Sequence, residues 1–270
     1  MPSKDDDIKF NESGVAKAWD ANADSWSDRV RKGYDVFREY YNNPAMLAFI
    51  GDLKDRKVLD LGCGEGYQTR ILARRGARMT GIDLSPRMIE FAREEERREP
   101  LGIRYEQASF TDLRIFADDS FDTVVSFMAL MDGPGFADAM REVRRVLRPG
   151  APLVFSIVHP MNTKGFGWVL DEQGEKIKFA VSEYFNEEPF VDRWNFSKAP
   201  DGDTAPLFTV PYFRKTMSDY LNIIIRAGLV VAELHEPRPT EEACRNYPWL
   251  RCWRDHAPLF LYVRATKPAR

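Results

Sequence analysis

The strongest constraint on this chain is a rhythm. From residue 57 to residue 158, short apolar runs alternate with stretches of helical period. The runs 57–61, 78–82, 103–107, 123–127 and 153–158 read as strands, and 123–127 is a continuous β-branched segment of the kind buried on both faces. Residues 68–75, the segment opened by Ser85-Pro86, and 136–147 read as helices. Their punctuation agrees: Gly76 closes the first, Ser85 caps the second with Pro86 in its opening turn, and Pro149-Gly150 stops the third. Strands that alternate with helices build a parallel sheet with helices on both faces. Right-handed crossovers then place the strands' C-terminal ends along one edge, where such sheets bind ligands.

Outside this core the pattern changes. Residues 1–14 look frayed. Residues 15–50 read as helices rich in aromatics, including Trp19, Trp26, Tyr34, Phe37, Tyr40 and Tyr41, broken at Asn43-Pro44. Between His159 and Phe213 the rhythm fails. That stretch of 55 residues contains 11 aromatics, or 20%, against 13% for the whole chain. It is too long for a plain loop. We expect residues 160–212 to form an inserted lid of short antiparallel strands, leaving the ligand edge after strand five. A helix at 218–227 and strands at 229–234 and 259–264 complete a single domain over residues 1–270.

Composition narrows the function. The charged fraction is 30%, yet the net charge is only -3, so the basic excess of a nucleic-acid binder is absent. Arg141, Arg144, Arg145 and Arg148 read as one solvated helix face. Three cysteines without zinc spacing favour neither a disulfide framework nor a metal. The acidic, polar start lacks the order of a signal peptide, and no apolar run approaches the ~20 residues that span a bilayer. The expectation is a cytoplasmic protein without nucleic-acid or membrane partners, a monomer or homodimer.

The chemistry-bearing motif is Val58-Leu59-Asp60-Leu61-Gly62-Cys63-Gly64-Glu65-Gly66. An apolar strand enters three glycines at alternate positions, which permits a tight turn and close approach of a ligand to the backbone. The next helix presents free N–H groups. The spacing differs from the dinucleotide fingerprint, whose last two glycines are two residues apart. Asp83, at the end of strand two in Gly81-Ile82-Asp83-Leu84-Ser85, is placed to accept hydrogen bonds from both ribose hydroxyls of an adenosine.

These residues resemble the Rossmann-like, class I S-adenosylmethionine-dependent methyltransferase family. Asp60 to Gly66 is similar to its glycine motif, and Gly81 to Ser85 to its ribose motif. Ser120-Phe121-Asp122-Thr123-Val124-Val125 resembles its entry to strand four, and Glu142 to Gly150 its helix before strand five. The likeness is dense over residues 55–158. It implies a seven-stranded sheet and S-adenosylmethionine as methyl donor. It further implies that Asp60, Gly62, Cys63, Gly64 and Gly66 line the methionine half. Asp83 and Leu84 would hold the ribose and flank adenine, with Met88 nearby. Ser109, followed by Phe110, falls where the family often carries an acid toward the adenine amino group. Phe127, with Met128, would face the cofactor. Trp26 stands where the family commonly has a tyrosine; its ring would cover the sulfonium or staple the N-terminal helices.

Methyl transfer is an in-line displacement at an activated carbon. Alignment can supply ~7–11 kcal/mol of barrier reduction, and a general base typically adds ~10²–10⁴-fold. His159 ends strand five at the lid entrance and is the first candidate for a catalytic or substrate role. The family's antiparallel last strand would bring His256 and Asp255 to the same rim as His235 and Glu236. Tyr184 and Tyr212 in the lid are further candidates. The expectation is a methyltransferase acting on an oxygen or nitrogen of a small apolar or aromatic metabolite. RNA or protein methylation, and a non-catalytic cofactor-binding regulator, are the alternatives.

Overall fold

The computed structural model describes residues 8–162, 165–196 and 207–269. Helix α1 (Glu12–Arg31) begins where the Asn11 side chain accepts the N–H of Gly14 at 2.9 Å. A five-residue π-helical turn, Arg38–Asn42, runs directly into α2 (Asn43–Ile50). Asn43-Pro44 therefore does not break the helical path. Pro44 lies in the first turn of α2, where its missing N–H costs nothing.

The alternating core follows as β1 (Lys57–Leu61), α3 (Tyr67–Arg74), β2 (Arg78–Asp83), α4 (Pro86–Arg98), β3 (Arg104–Gln107), β4 (Thr123–Phe127), α5 (Phe136–Val146) and β5 (Pro152–Val158). Two antiparallel pairs come next: β6 (Phe166–Leu170) with β7 (Lys176–Val181), and β8 (Phe190–Trp194) with β9 (Phe208–Tyr212). The chain closes with α6 (Met217–Arg226), β10 (Val230–His235), α7 (Glu241–Asn246), α8 (Arg251–Asp255) and β11 (Phe260–Thr266). The short helices α7 and α8 carry no periodic signal long enough to read from sequence. Thr240, whose hydroxyl accepts the N–H of Ala243 at 3.0 Å, starts the first of them.

Seven strands form one sheet in the order β10-β11-β5-β4-β1-β2-β3. Strands β1 to β5 pair in parallel, and β11 runs antiparallel between β5 and β10. The chain leaves β1 toward β2 and β3, then returns to place β4 on the other side. That reversal between β1 and β4 opens a crevice at their C-terminal ends. Residue alternation supplies a core on each face. Leu59, Leu61, Val124, Phe155 and Ile157 pack with Phe136, Met140 and Tyr220 of α5 and α6. Val58, Val125 and Val154 pack on the opposite side with Met46, Leu72, Ile89 and Trp253.

The insertion after β5 is two ribbons that go different ways. β8–β9 lies along α1, where Asn22 Nδ2 donates to the Thr209 carbonyl at 3.1 Å and Arg29 is hydrogen-bonded to Asn195. β6–β7 instead packs on α8, with the Trp168 and Trp253 rings 4.9 Å apart. Residues 163–164 and 197–206 of the expected lid lie outside the described residues. No helix among the described residues is long and apolar enough to cross a membrane.

Candidate active site

At the β1–β4 crevice lies a cavity of about 400 Å³. Its floor is the turn after β1, with Gly62, Cys63, Gly64 and Glu65 on its surface, together with Asp83 at the end of β2 and Leu84 just after it. One end is apolar, formed by Val15, Trp19, Met88, Ala108 and Phe110. The lining also takes Met128, Ala129, Met131, Asp132, Gly133 and Pro134 from the loop after β4, with Gly133 against the Phe110 ring, and Asp192, Trp194, Val210 and Tyr212 from the β8–β9 ribbon. The cavity thus joins the glycine turn to an element that is not part of the sheet.

The three glycines do different things. All have positive φ, at 71°, 55° and 85°. A Cβ on Gly62 would collide with the Ala129 side chain, and one on Gly66 with the Tyr105 hydroxyl. Gly64 alone has open space where a Cβ would stand. Its N–H donates to Asp83 Oδ2 at 2.9 Å, while the Ser85 N–H donates to Oδ1 at 2.9 Å. Burial pushes the Asp83 carboxyl up to about 6. Asp60 is more deeply enclosed: Oδ2 accepts the Thr69 hydroxyl at 2.6 Å, Oδ1 has no partner among the described residues, and burial raises the group to about 7.

A buried ionic knot closes the far end of the turn. Arg38, only 7% exposed, lies 3.5 Å from Glu65 and 3.3 Å from Glu39, with its guanidinium 4.2 Å from the centre of the Tyr67 ring. The Asp35 carboxylate accepts the Arg38 backbone N–H at 3.0 Å, and its acidity is weakened by burial. Glu65 Oε2 also accepts the indole N–H of Trp26 at 3.1 Å. Arg38 Nη2 is buried and has no hydrogen-bond partner among the described residues. A buried guanidinium N–H without an acceptor is costly, and it marks a place where an anion would be well received.

The methyltransferase domain model matches residues 59–155, the glycine turn through β5. A solved S-adenosylmethionine dependent methyltransferase from Mesorhizobium loti is 30% identical, with a TM-score of 0.68 over 83% of this chain and 96% of that one. The chain belongs to the class I S-adenosylmethionine-dependent methyltransferase family. An uncharacterized Haemophilus influenzae protein is 25% identical over 88% of this chain and 92% of its own length. A ubiquinone biosynthesis O-methyltransferase of Alkalilimnicola ehrlichii is 32% identical over 54% of this chain; the match spans 59% of that enzyme.

In this methyltransferase the sequence-selected residues fall into two groups. Trp26, Gly62, Cys63, Gly64, Asp83, Leu84, Met88, Phe110, Phe127 and Tyr212 all line the cavity. Gly66 and Asp60 lie behind the turn, the first against Tyr105 and the second against Thr69. Ser109 is not on the cavity surface. Its hydroxyl lies 2.6 Å from Glu12 Oε1, and Glu12, from α1, takes the place on the wall.

Three of the four candidates for catalysis lie outside the lining. His159 directly follows Val158, which does line the cavity. The His159 N–H continues the ladder to the Leu259 carbonyl at 2.8 Å, so alternation turns its side chain to the other face of the sheet. There Nε2 pairs with Glu236 Oε1 at 3.0 Å. Tyr184 accepts the Met217 N–H at 3.0 Å on its hydroxyl, at the start of α6. His256 is exposed, carried outward by α8 to within 6.4 Å of the Trp168 ring. The other charged residues on the lining, Glu12, Asp35, Arg38, Glu65, Asp132 and Asp192, are given no role by the sequence. For Glu65 the signal was present, within the glycine motif itself. Arg38 had none beyond its neighbours' aromaticity.

Proposed function

We propose that the cavity holds S-adenosylmethionine against the glycine turn and presents its methyl group to a small acceptor under the β8–β9 ribbon, with methylation on oxygen or nitrogen. The observation that carries this reading is the continuous lining from Gly64 and Asp83 to Tyr212 and Trp194. When bound, S-adenosylmethionine supplies an electrophilic methyl on a sulfonium, which needs alignment more than activation.

The chain's own residues fit that group. Arg38 Nη2, otherwise an orphan, would receive the carboxylate of the amino-acid half, with Glu65 on the same side for its ammonium. Both oxygens of Asp83 already accept one backbone N–H and retain a lone pair each for the ribose hydroxyls. Leu84, Met88 and Phe110 offer apolar contact for the adenine, and Glu12, steadied by Ser109, an acceptor for its amino group. Trp26 is set among Trp19, Trp194, Phe196 and Phe208, with ring centroids 5.2–5.6 Å away. It holds α1 to the ribbon and walls the cavity at once.

The ribbon brings aromatic surface and few charges, the usual make-up of a small-ligand pocket. Relatives that carry a ubiquinone biosynthesis O-methyltransferase name support a small-molecule acceptor. The test is calorimetry with S-adenosylhomocysteine, then incubation with S-adenosylmethionine and a metabolite extract. Tight binding and acceptor-dependent appearance of S-adenosylhomocysteine are expected. Binding of a nicotinamide dinucleotide instead would overturn the reading.

A further inference from the structure

The acceptor end of the cavity contains an unpartnered acid. Asp132, in the loop after β4, is 8% exposed and lines the cavity. Its backbone N–H is spent on the Ala129 carbonyl at 3.0 Å, but no hydrogen bond or ion pair from the described residues reaches its carboxyl group. Asp192 of β8 lines the same wall, and the Arg193 backbone N–H is hydrogen-bonded to it. Tyr212 adds a hydroxyl, and the buried Tyr220 hydroxyl behind it has no partner either. Two cations that follow β9 are turned elsewhere. Arg214 donates to the Glu188 carbonyl at 2.8 Å, and the Lys215 ammonium lies over the rings of Phe136 and Tyr220.

A buried carboxyl without a partner is expensive, so its retention beside an aromatic wall calls for a ligand that completes it. We propose that Asp132 and Asp192 form the polar end of the acceptor pocket, and that the acceptor is an amine on an apolar body, methylated on nitrogen. This rests on the reading of the cavity as a joint site for S-adenosylmethionine and acceptor. Burial and the neighbouring charges of Asp192 and Asp83 push the Asp132 carboxyl well above its ordinary range, and burial raises Asp192 too. An ammonium restores the charged form of these carboxyls, whereas a phenolate or carboxylate would push them further toward the neutral form and gain no ion pair.

The chemistry is consistent with the charges. An ammonium acceptor gives one proton to the Asp132 carboxylate and becomes a neutral amine. The nitrogen lone pair then forms the bond to the methyl carbon as the carbon–sulfur bond breaks, and that bond's electrons remain on sulfur as a neutral thioether. Positive charge moves from sulfur to the methylated nitrogen, so the carboxylate of Asp192, with Asp132 now holding the proton, stabilises the charge that develops. The proton held by Asp132 leaves to solvent with product release. Trp194 and Phe196 line the same cavity and add aromatic surface to it.

The experiment uses the full chain saturated with S-adenosylhomocysteine and titrated with phenethylamine, 2-phenylethanol and 3-phenylpropionate. The amine is expected to bind about ten-fold or more tightly than the alcohol, the scale of a hydrogen bond to a charged group, with the acid weakest. Asp132→Asn should collapse the amine-to-alcohol ratio toward one while S-adenosylhomocysteine affinity stays unchanged. Asp192→Asn gives the second measurement if Asp132→Asn does not fold. A merely structural carboxylate would not move that ratio. Equal or better binding of the alcohol, a ratio that survives both substitutions, or no amine binding with S-adenosylhomocysteine in place overturns the proposal. Failure of S-adenosylhomocysteine itself to bind overturns the underlying site reading instead.

Discussion

The carboxylate of Asp83 accepts the backbone N–H of Gly64 at 2.9 Å, and through that bond the end of β2 sets the shape of the turn after β1. One side chain therefore serves both the turn and the face turned to a ligand. Asp83→Ala should weaken S-adenosylhomocysteine binding by about five- to 150-fold, from a loss of roughly 1–3 kcal/mol. Isothermal calorimetry measures it, and an unchanged affinity would remove Asp83 from the site.

The same residue predicts a pH dependence. Its folded pKa, about 6, lies above the ordinary 3.8. The protonated form therefore favours folding, and this contribution is full below pH 3.8 and lost as pH rises through about 6. Hydroxyl donors favour the charged form, so ligand affinity should climb between pH 5 and pH 7, by at most about ten-fold per unit for one proton. Asp83→Asn should flatten that slope. It should also lower the melting temperature of the ligand-free protein, because the amide NH2 would face one of the two backbone N–H groups that the carboxylate accepts, and the deficit should be smaller at pH 7.5 than at pH 5.

Arg38 carries the sharpest ligand prediction. Arg38→Lys keeps a cation beside Glu65 but loses the planar fork, so the free Nη2 position disappears. S-adenosylhomocysteine should bind about ten-fold more weakly. Methylthioadenosine, which lacks the amino-acid half, should bind as before. Equal losses for both ligands would mean that the substitution acts on the fold and not on the carboxylate.

Gly66 tests the packing behind the turn. Gly66→Ala places a Cβ at a φ of 85° and into the Tyr105 hydroxyl, and should cost about 1–3 kcal/mol of stability. The Tyr105 hydroxyl has no hydrogen-bond partner among the described residues, so Tyr105→Phe alone should be close to neutral. Combined, the two changes should recover part of the loss. Additive denaturation energies would disprove the contact.

His159 makes a prediction about stability and not about methyl transfer. Burial holds its imidazole below the ordinary range, against the opposite pull of Glu236. Its neutral form therefore supports folding above pH 6.5, and that support is lost as pH falls below this value. His159→Gln should lose less melting temperature than wild type between pH 7.5 and pH 5. Its affinity for S-adenosylhomocysteine should be unchanged. A drop in that affinity would return His159 to the site.

The parallel core was legible because hydrophobic period and punctuation agreed at each step. Thr123–Phe127 reads as a strand from its β-branched run, and the structure gives those bounds. Asp83 was legible because its position at a strand end follows from topology. The orientation of His159 was not, since one residue along a strand reverses the face, and Val158 took the cavity side. Asp132 sits in Met131-Asp132-Gly133-Pro134, a sequence that reads as an ordinary turn. Only its burial at the cavity wall gives it meaning. Arg38 was hidden for a related reason: its π-helical turn has no sequence period of its own.

In the proposed site much of the acceptor wall would come from β8 and β9, which among the described residues pair with each other and rest on α1. In the same reading the adenosine contacts would come from the turns after β1 and β2, with Met88 of α4, Phe110 after β3 and Glu12 of α1. On that proposal, selectivity and donor recognition would be written largely in separate stretches of chain. An exchange of the ribbon would give the same methylation engine a different client, as a tool holder accepts a new bit, with the seven strands left untouched.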